Sequence, residues 1–193
     1  MTDAFSQELE PFRPMGKIAR VFRDCVITEK IDGTNASINI DEDGTVTAGS
    51  RTRWLTDDVP DNHGFRAWVY EHSDELRTLG PGHHFGEWWG LGINRGYNLF
   101  EKRFSLFNTA RWTVHPETPG GTVIPLCCNI VPVLYEGPFN TGSVRGILMQ
   151  LEANGSYAAP GYTNPEGVVV FHTAARTLMK ATILNDEKPK GVQ

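Results

Sequence analysis

The chain has 193 residues, of which 39% are apolar and 21% charged, with a formal net charge of −5. That length suits one domain able to bury a sizeable core, and the mild acidity weighs against a high-affinity nucleic-acid binder while leaving room for an enzyme that holds its substrate briefly. Any phosphate contact must come from local clusters such as Arg51–Arg53, Lys102–Arg103 and Lys188–Lys190. Cys127 and Cys128 are adjacent and Cys25 is distant, a pattern with neither a disulfide framework nor a zinc-ligand spacing. Reduced thiols, a polar N-terminus unlike a signal peptide and no long apolar run make a cytoplasmic, membrane-free protein the expectation.

In chain order, Cys25–Ser50 reads as a strand pair or meander. Val26–Ile27 and Ala36–Ile40 are β-prone, Asp41-Glu42-Asp43-Gly44 is a turn, and Thr45–Ala48 follows it. Phe65, Trp68, Val69, Leu76 and Leu79 recur at helical spacing, which predicts one helix between Asn62 and Leu79. Asp61 or Asn62 can cap its start and Gly80-Pro81 stops it. His84–Trp89, Arg103–Phe107 and Ile130–Tyr135 read as strands, and Trp88-Trp89 as core. Ser143–Leu151 is a second helix, with Val144, Ile147, Leu148 and Leu151 on one face. Gly167–Phe171 and Leu178–Ile183 complete the strands. Many strands, few helices and no regular alternation predict a single α+β domain over residues 1–193, with mostly antiparallel sheet.

The segment Glu29-Lys30-Ile31-Asp32-Gly33-Thr34-Asn35 places one lysine between carboxylates, directly after an apolar strand. A lysine is nucleophilic only when neutral, and flanking acids oppose that. A nearby divalent cation would offset those carboxylates and favour the free amine. Gly33 lets the backbone turn and come close to a phosphate. Alone, such a pattern also fits surface charges at a hairpin.

Five further elements follow in order. Lys30-Ile31-Asp32-Gly33-Thr34-Asn35 resembles motif I of the covalent nucleotidyltransferases, the superfamily of DNA ligases, RNA ligases and capping enzymes. Ser50-Arg51 is similar to motif Ia, Phe85-Gly86-Glu87-Trp88-Trp89-Gly90 to motif III, and Phe104-Ser105-Leu106-Phe107-Asn108 to motif IIIa. Glu166-Gly167-Val168-Val169-Val170 resembles motif IV and Leu178-Met179-Lys180-Ala181-Thr182 motif V. Together they span about four fifths of the chain. Asn35, where DNA ligases and capping enzymes usually carry arginine, and the run Trp89–Tyr97 are similar to the smaller, phage-type, double-strand-joining RNA ligases.

The resemblance implies a nucleotidyltransferase fold, the adenylylation domain of ligases, with antiparallel sheets and flanking helices around an ATP cleft. It implies an ATP-dependent RNA ligase that uses Mg2+ or Mn2+, carries AMP on Lys30, and joins the 5′-phosphate and 3′-hydroxyl of RNA ends in a nicked duplex. A monomer and a role in RNA repair are expected. Lys180 would assist catalysis and contact the nucleotide phosphate. Arg51 would meet the ribose or the 5′-phosphate, Glu87 the ribose, and Phe107 would stack on adenine. Glu29 and Ile31 would help recognise the base, Asn35 a phosphate or strand end, and Glu166 would bind the metal. The chain departs from the pattern at Thr182, where a second lysine is usual and whose role Lys188 or Lys190 could take, and at Asn108 in place of aspartate. No separate C-terminal domain is expected after motif V. A DNA ligase, a capping-type enzyme, or an accessory module that adenylylates itself without sealing are the alternatives.

Overall fold

The computed structural model describes residues 11–113, 122–184 and 186, so Lys188 and Lys190 lie outside the described residues. Strand β1 (Asp24–Lys30) alternates strictly, with Cys25, Ile27 and Glu29 buried and Val26, Thr28 and Lys30 on the other face. β2 (Thr34–Ile40) and β3 (Val46–Ser50) form the hairpin expected around Asp41–Gly44. The expected meander does not extend to β1, however. β1 and β2 belong to different sheets, and the chain crosses between them within Ile31-Asp32-Gly33.

The helix expected up to Leu79 is interrupted. α1 (Phe65–Glu71) and α2 (Ser73–Leu76) are separated at His72, whose backbone (φ −101°, ψ 15°) leaves helical geometry, and a short 3-10 turn finishes the segment. The apolar spacing still holds: Phe65, Val69, Leu76 and Leu79 are all buried. Asp61 satisfies the first turn, accepting from the backbone N–H of Arg66 (2.8 Å) and Ala67 (3.3 Å).

β4 (Gly82–Gly90) and β5 (Lys102–Leu106) follow, then a two-residue parallel pair, β6 (Trp112–Thr113) and β7 (Thr122–Val123). The strand expected over Ile130–Tyr135 is really two. β8 (Cys128–Ile130) runs parallel to β5, while β9 (Val133–Pro138) pairs with β1 in the other sheet. Pro132 cannot donate a ladder hydrogen bond, so the crossover falls there. α3 (Thr141–Asn154) is capped by Asn140, whose carboxamide accepts from Ser143 N–H at 2.7 Å. β10 (Gly167–His172) and β11 (Thr177–Thr182) close the first sheet.

The result is the expected α+β fold: a sheet ordered β11-β10-β1-β9 and a second ordered β3-β2-β4-β5-β8, antiparallel except for the last pair. α3 packs Ile147 and Leu151 on Cys25, Ile27, Val168 and Val170 of the first sheet. α1 and α2 pack on Ala36, Ile38, Trp88 and Phe104 of the second. A third cluster, Ile31, Trp89, Tyr97, Val131 and Ala159, contains a residue from each crossover. Among the described residues no helix is long and apolar enough to cross a membrane.

Gly167 marks the tightest point of the first sheet. A Cβ there would lie 2.2 Å from the Ala181 carbonyl oxygen and 2.7 Å from Thr182 Cα. Gly167→Ala should therefore force β10 from β11 and lower the unfolding free energy by about 2–3 kcal/mol in urea titrations. A loss below about 0.5 kcal/mol would show that the ladder absorbs the methyl group without strain.

Candidate active site

The crossover Ile31-Asp32-Gly33 is held from three sides. Asp32 N–H donates to the Tyr97 hydroxyl at 2.7 Å, and its carboxylate accepts from Arg95 Nε (2.9 Å) and Asn94 Nδ2 (3.0 Å). Asn94 Nδ2 also reaches the Gly33 carbonyl at 2.6 Å. Gly33 N–H donates to Glu87 Oε1 at 3.1 Å, and Asn35 Nδ2 to Glu87 Oε2 at 2.8 Å. A Cβ at Gly33 would stand 2.4 Å from the Trp88 carbonyl oxygen and 2.7 Å from Trp89 Cβ. The glycine is thus required by contact with β4. The sequence suggested approach to a phosphate instead.

Lys30 stands at the end of β1, just before that turn. Its Nζ donates to Glu166 Oε2 at 2.5 Å, and both side chains are largely covered. Register places the motif IV and V residues beside it. Lys30 pairs with Gly167, which pairs with Thr182; one pleat away, Thr28 pairs with Val169, which pairs with Lys180. Directly paired residues share a face, so Lys30 and exposed Lys180 lie on the side of the sheet opposite Ile27 and Glu29. Thr182 occupies the Lys30 row across the bare Gly167 position. Its hydroxyl donates to Leu184 O at 2.9 Å, and its N–H to Asp186 Oδ1 at 2.9 Å.

The two residues expected to recognise the base have their side chains on the covered face of β1. The Glu29 side chain is 1% exposed and on the far face of β1 from Lys30. Its carboxylate accepts from Ser156 Oγ (2.6 Å), Tyr157 N–H (2.8 Å) and Ala158 N–H (2.9 Å). It anchors the loop after α3. Ile31 shares that parity and is buried against Trp89 and Tyr97. The Asn35 amide, exposed at the start of β2, is engaged by Glu87. Phe107, 41% exposed, follows β5 on the Glu87 and Ser105 side, with its N–H bonded to Phe85 O at 3.0 Å. Arg51 is exposed in the turn after β3 and makes no ion pair among the described residues. The sequence did not single out Tyr97, Asn94 and Arg95 as the clamp on the turn. The run Trp89–Tyr97 carried the signal, but periodicity could not say what it touched.

Burial sets the electrostatics. Desolvation pushes the Glu87 carboxyl up to about 7, against the opposing pull of Asn35, the Lys30 charge and Gly33 N–H. Burial also raises Glu29, despite its three donors, and the Tyr97 phenol. Among the described residues no group of three His, Cys, Asp or Glu could hold a metal. A hard divalent cation bound chiefly through substrate phosphates and water needs only one or two protein carboxylates. The partly covered Glu166 carboxylate, held now by Lys30, fits that need. A separate surface depression, lined by Asn98, Leu99, Phe100, Glu101 and Arg103, shares no residue with this site.

The Glu87 shift has a sign that can be measured. Its folded pKa lies above its unfolded value of 4.5, so the folded state holds the extra proton between pH 4.5 and 7. The resulting stability is full below 4.5 and is lost as pH rises to 7. Glu87→Gln, which cannot ionise, should be more stable than wild type at pH 8 by about 1–3 kcal/mol. The two proteins should converge near pH 4.5. Parallel stability curves across that range would place the titrating group elsewhere.

The family model for RNA ligase matches residues 23–182. No curated protein matches the chain. Among solved structures, an apo mutant of a Naegleria gruberi RNA ligase aligns with a TM-score of 0.57 at 18% identity, covering 83% of this chain and 49% of that one. A mutant of Naegleria gruberi RNA ligase with AMP and Mn aligns with a TM-score of 0.58 at 17% identity, covering 84% and 50%. A third, with ATP and Mn, gives 0.56 at 18%, covering 83% and 49%. The chain spans about half the length of these structures, and at such identities the likeness speaks for the fold. The family match extends from just before β1 to the end of β11, well over half the sequence, and the chain belongs to the RNA ligase family.

Proposed function

We propose that this chain is the nucleotidyltransferase part of an ATP-dependent RNA ligase, with Lys30 as the nucleophile. The observation that carries the reading is the Lys30–Glu166 contact of 2.5 Å, in a family member whose adjoining turn is clamped by Glu87. The similar Naegleria gruberi structures with ATP or AMP and Mn support the same cofactors.

In this reading Lys30 Nζ bonds to the α-phosphorus of ATP as the bond to the pyrophosphate oxygen breaks. A 5′-phosphate oxygen of RNA then displaces Nζ from that phosphorus. Finally a 3′-hydroxyl attacks the activated 5′-phosphorus, and AMP leaves. Nζ must first give up a proton, and Glu166 Oε2 is the acceptor already in contact. A divalent cation on Glu166 would supply positive charge that loosens the ion pair and stabilises phosphate oxygens. Lys180 shares the face of Lys30 and gives a second positive charge where the α-phosphate becomes more anionic. Phe107 offers an exposed ring to adenine, and Arg51 a planar fork to phosphate.

Incubation with labelled ATP and Mg2+ or Mn2+ should give a protein adduct that resists alkali and is released by acid, the behaviour of a phosphoramidate. Lys30→Ala should abolish it; persistent label would move the nucleophile elsewhere.

Transfer to RNA brings a second anion to the lysyl phosphate, so it needs more positive charge than adduct formation. Thr182 stands where that charge would be useful, in the row of Lys30. Thr182→Lys should speed transfer to a 5′-phosphate about tenfold, the gain expected from one close charge pair. Adduct formation should be nearly unchanged, and a single-turnover assay of each step separates the two. Equal rates of transfer in both proteins would show that charge in this row does not limit the step.

A further inference from the structure

Three aromatic side chains form a stack outside every hydrophobic core cluster of the described residues. Trp54 and His83 have ring centroids 5.3 Å apart at 29°, and His83 and Phe85 4.3 Å apart at 35°. The ends of the stack are open, with Trp54 45% and Phe85 56% exposed. His83 and Phe85 alternate with buried His84 and Gly86 along β4, so they share a face with Glu87 and Trp89. Along that row burial falls away from the site, from covered Trp89 and Glu87 to exposed Phe85 and His83.

The stack is built into the sheet. Gly49 lies on the same face of β3, and a Cβ there would meet Ser37 Oγ at 2.5 Å and the Trp54 ring at 3.2 Å. Only a glycine lets the indole rest against the strand. On the other side, Leu55 is buried and its N–H donates to Ala48 O at 2.9 Å, pinning the turn that presents Trp54. An indole held this firmly yet half exposed contributes little to the core. Arg51 and Arg53 occupy the same turn, both exposed, and neither forms an ion pair among the described residues. In a chain of net charge −5 they put two cations into one short turn.

We infer that the Trp54–His83–Phe85 stack, with Arg51 and Arg53 in the turn that carries Trp54, binds unpaired nucleotides of the RNA strand as that strand leaves the Lys30 site. Bases continue the ring stack at its open ends, and phosphates meet the guanidinium groups. On β2 this face carries Asn35 and Asn39 with Ser37 buried between them, and no apolar side chain that would extend the rings into a protein-docking patch. A fully paired duplex keeps its base faces stacked on each other and cannot use the rings. The inference takes the identity of the polymer from the ligase reading, but its geometry is independent of the adenylylation chemistry.

Fluorescence anisotropy with the full chain and labelled oligoribonucleotides tests it, comparing a single strand with a blunt duplex of the same sequence, without ATP. The single strand should bind at least about tenfold tighter, and Trp54→Ala or Phe85→Ala should each weaken it about tenfold, the scale of one lost base stack. Trp54→Phe should recover most of the affinity. Arg53→Ala should lower the log–log salt slope by about one unit, as loss of one phosphate contact does. Thermal melts of Phe85→Ala should lie near wild type, since that ring is more than half exposed. Duplex binding as tight as single-strand binding would overturn the inference, as would wild-type affinity in both alanine variants. Self-association of the wild type that Trp54→Ala abolishes, with no oligonucleotide binding, would overturn it in favour of a protein contact. Adduct formation at Lys30 is scored separately with ATP alone. Its failure beside intact, Trp54-dependent strand binding would sink the ligase reading and leave the stack standing.

Discussion

The chain must pass from one sheet to the other within three residues, immediately after the lysine that ends β1. Everything at the site depends on how that passage is held. Gly33 lies so close to β4 that no side chain fits, and its N–H is tied to the same Glu87 carboxylate that holds Asn35. Asp32 is gripped from the other side by Tyr97, Asn94 and Arg95. A lysine carries four flexible bonds and loses about 1.5–2 kcal/mol of side-chain entropy when fixed. Fixing its backbone through neighbours, and its tip through Glu166, spreads that cost over a network.

Four carboxylates surround this lysine, and their environments divide the work between them. Glu29 is buried with three donors and docks the loop after α3. Asp32 is neutralised by Arg95 and fixes the turn. Glu87 is buried with neutral donors, so desolvation dominates and its proton is held up to about pH 7. Glu166 is the one in contact with Nζ, at 2.5 Å. Identical or near-identical side chains thus differ in role because they differ in solvation and in the charge of their partners.

The second sheet shows the same division between its faces. Ala36, Ile38, Trp88 and Phe104 face α1 and α2 in the main core. The opposite face passes from Trp89, sealed in the crossover cluster, through Glu87 to the open rings of Phe85 and His83. One strand of alternating residues therefore serves packing on one side and grades from site to surface on the other.

Much of this was legible in the sequence, for a physical reason. Each motif is a run of a few adjacent residues, and period-two or helical spacing is written locally. Lys30, Glu87, Glu166 and the strands that carry them, the apolar faces of α1 and α3, and the turn at Asp41–Gly44 could all be read that way. Residues that act across the chain could not be. Glu29 seemed to belong with the nucleotide because it adjoins Lys30, yet strand alternation turns it to the opposite face, where Ser156 receives it. Strand propensity over Ile130–Tyr135 was real, but only packing against two sheets decided that Pro132 would divide it. The clamp of Tyr97, Asn94 and Arg95 on Asp32, the row from Lys30 through Gly167 to Thr182, and the stack of Trp54 on His83 depend on registers between distant strands. Sequence by itself marked the local motifs and most of the segments that are strands or helices. Only the tertiary structure decided which carboxylate faces the lysine, because a shift of one residue in strand register exchanges the two faces of a sheet.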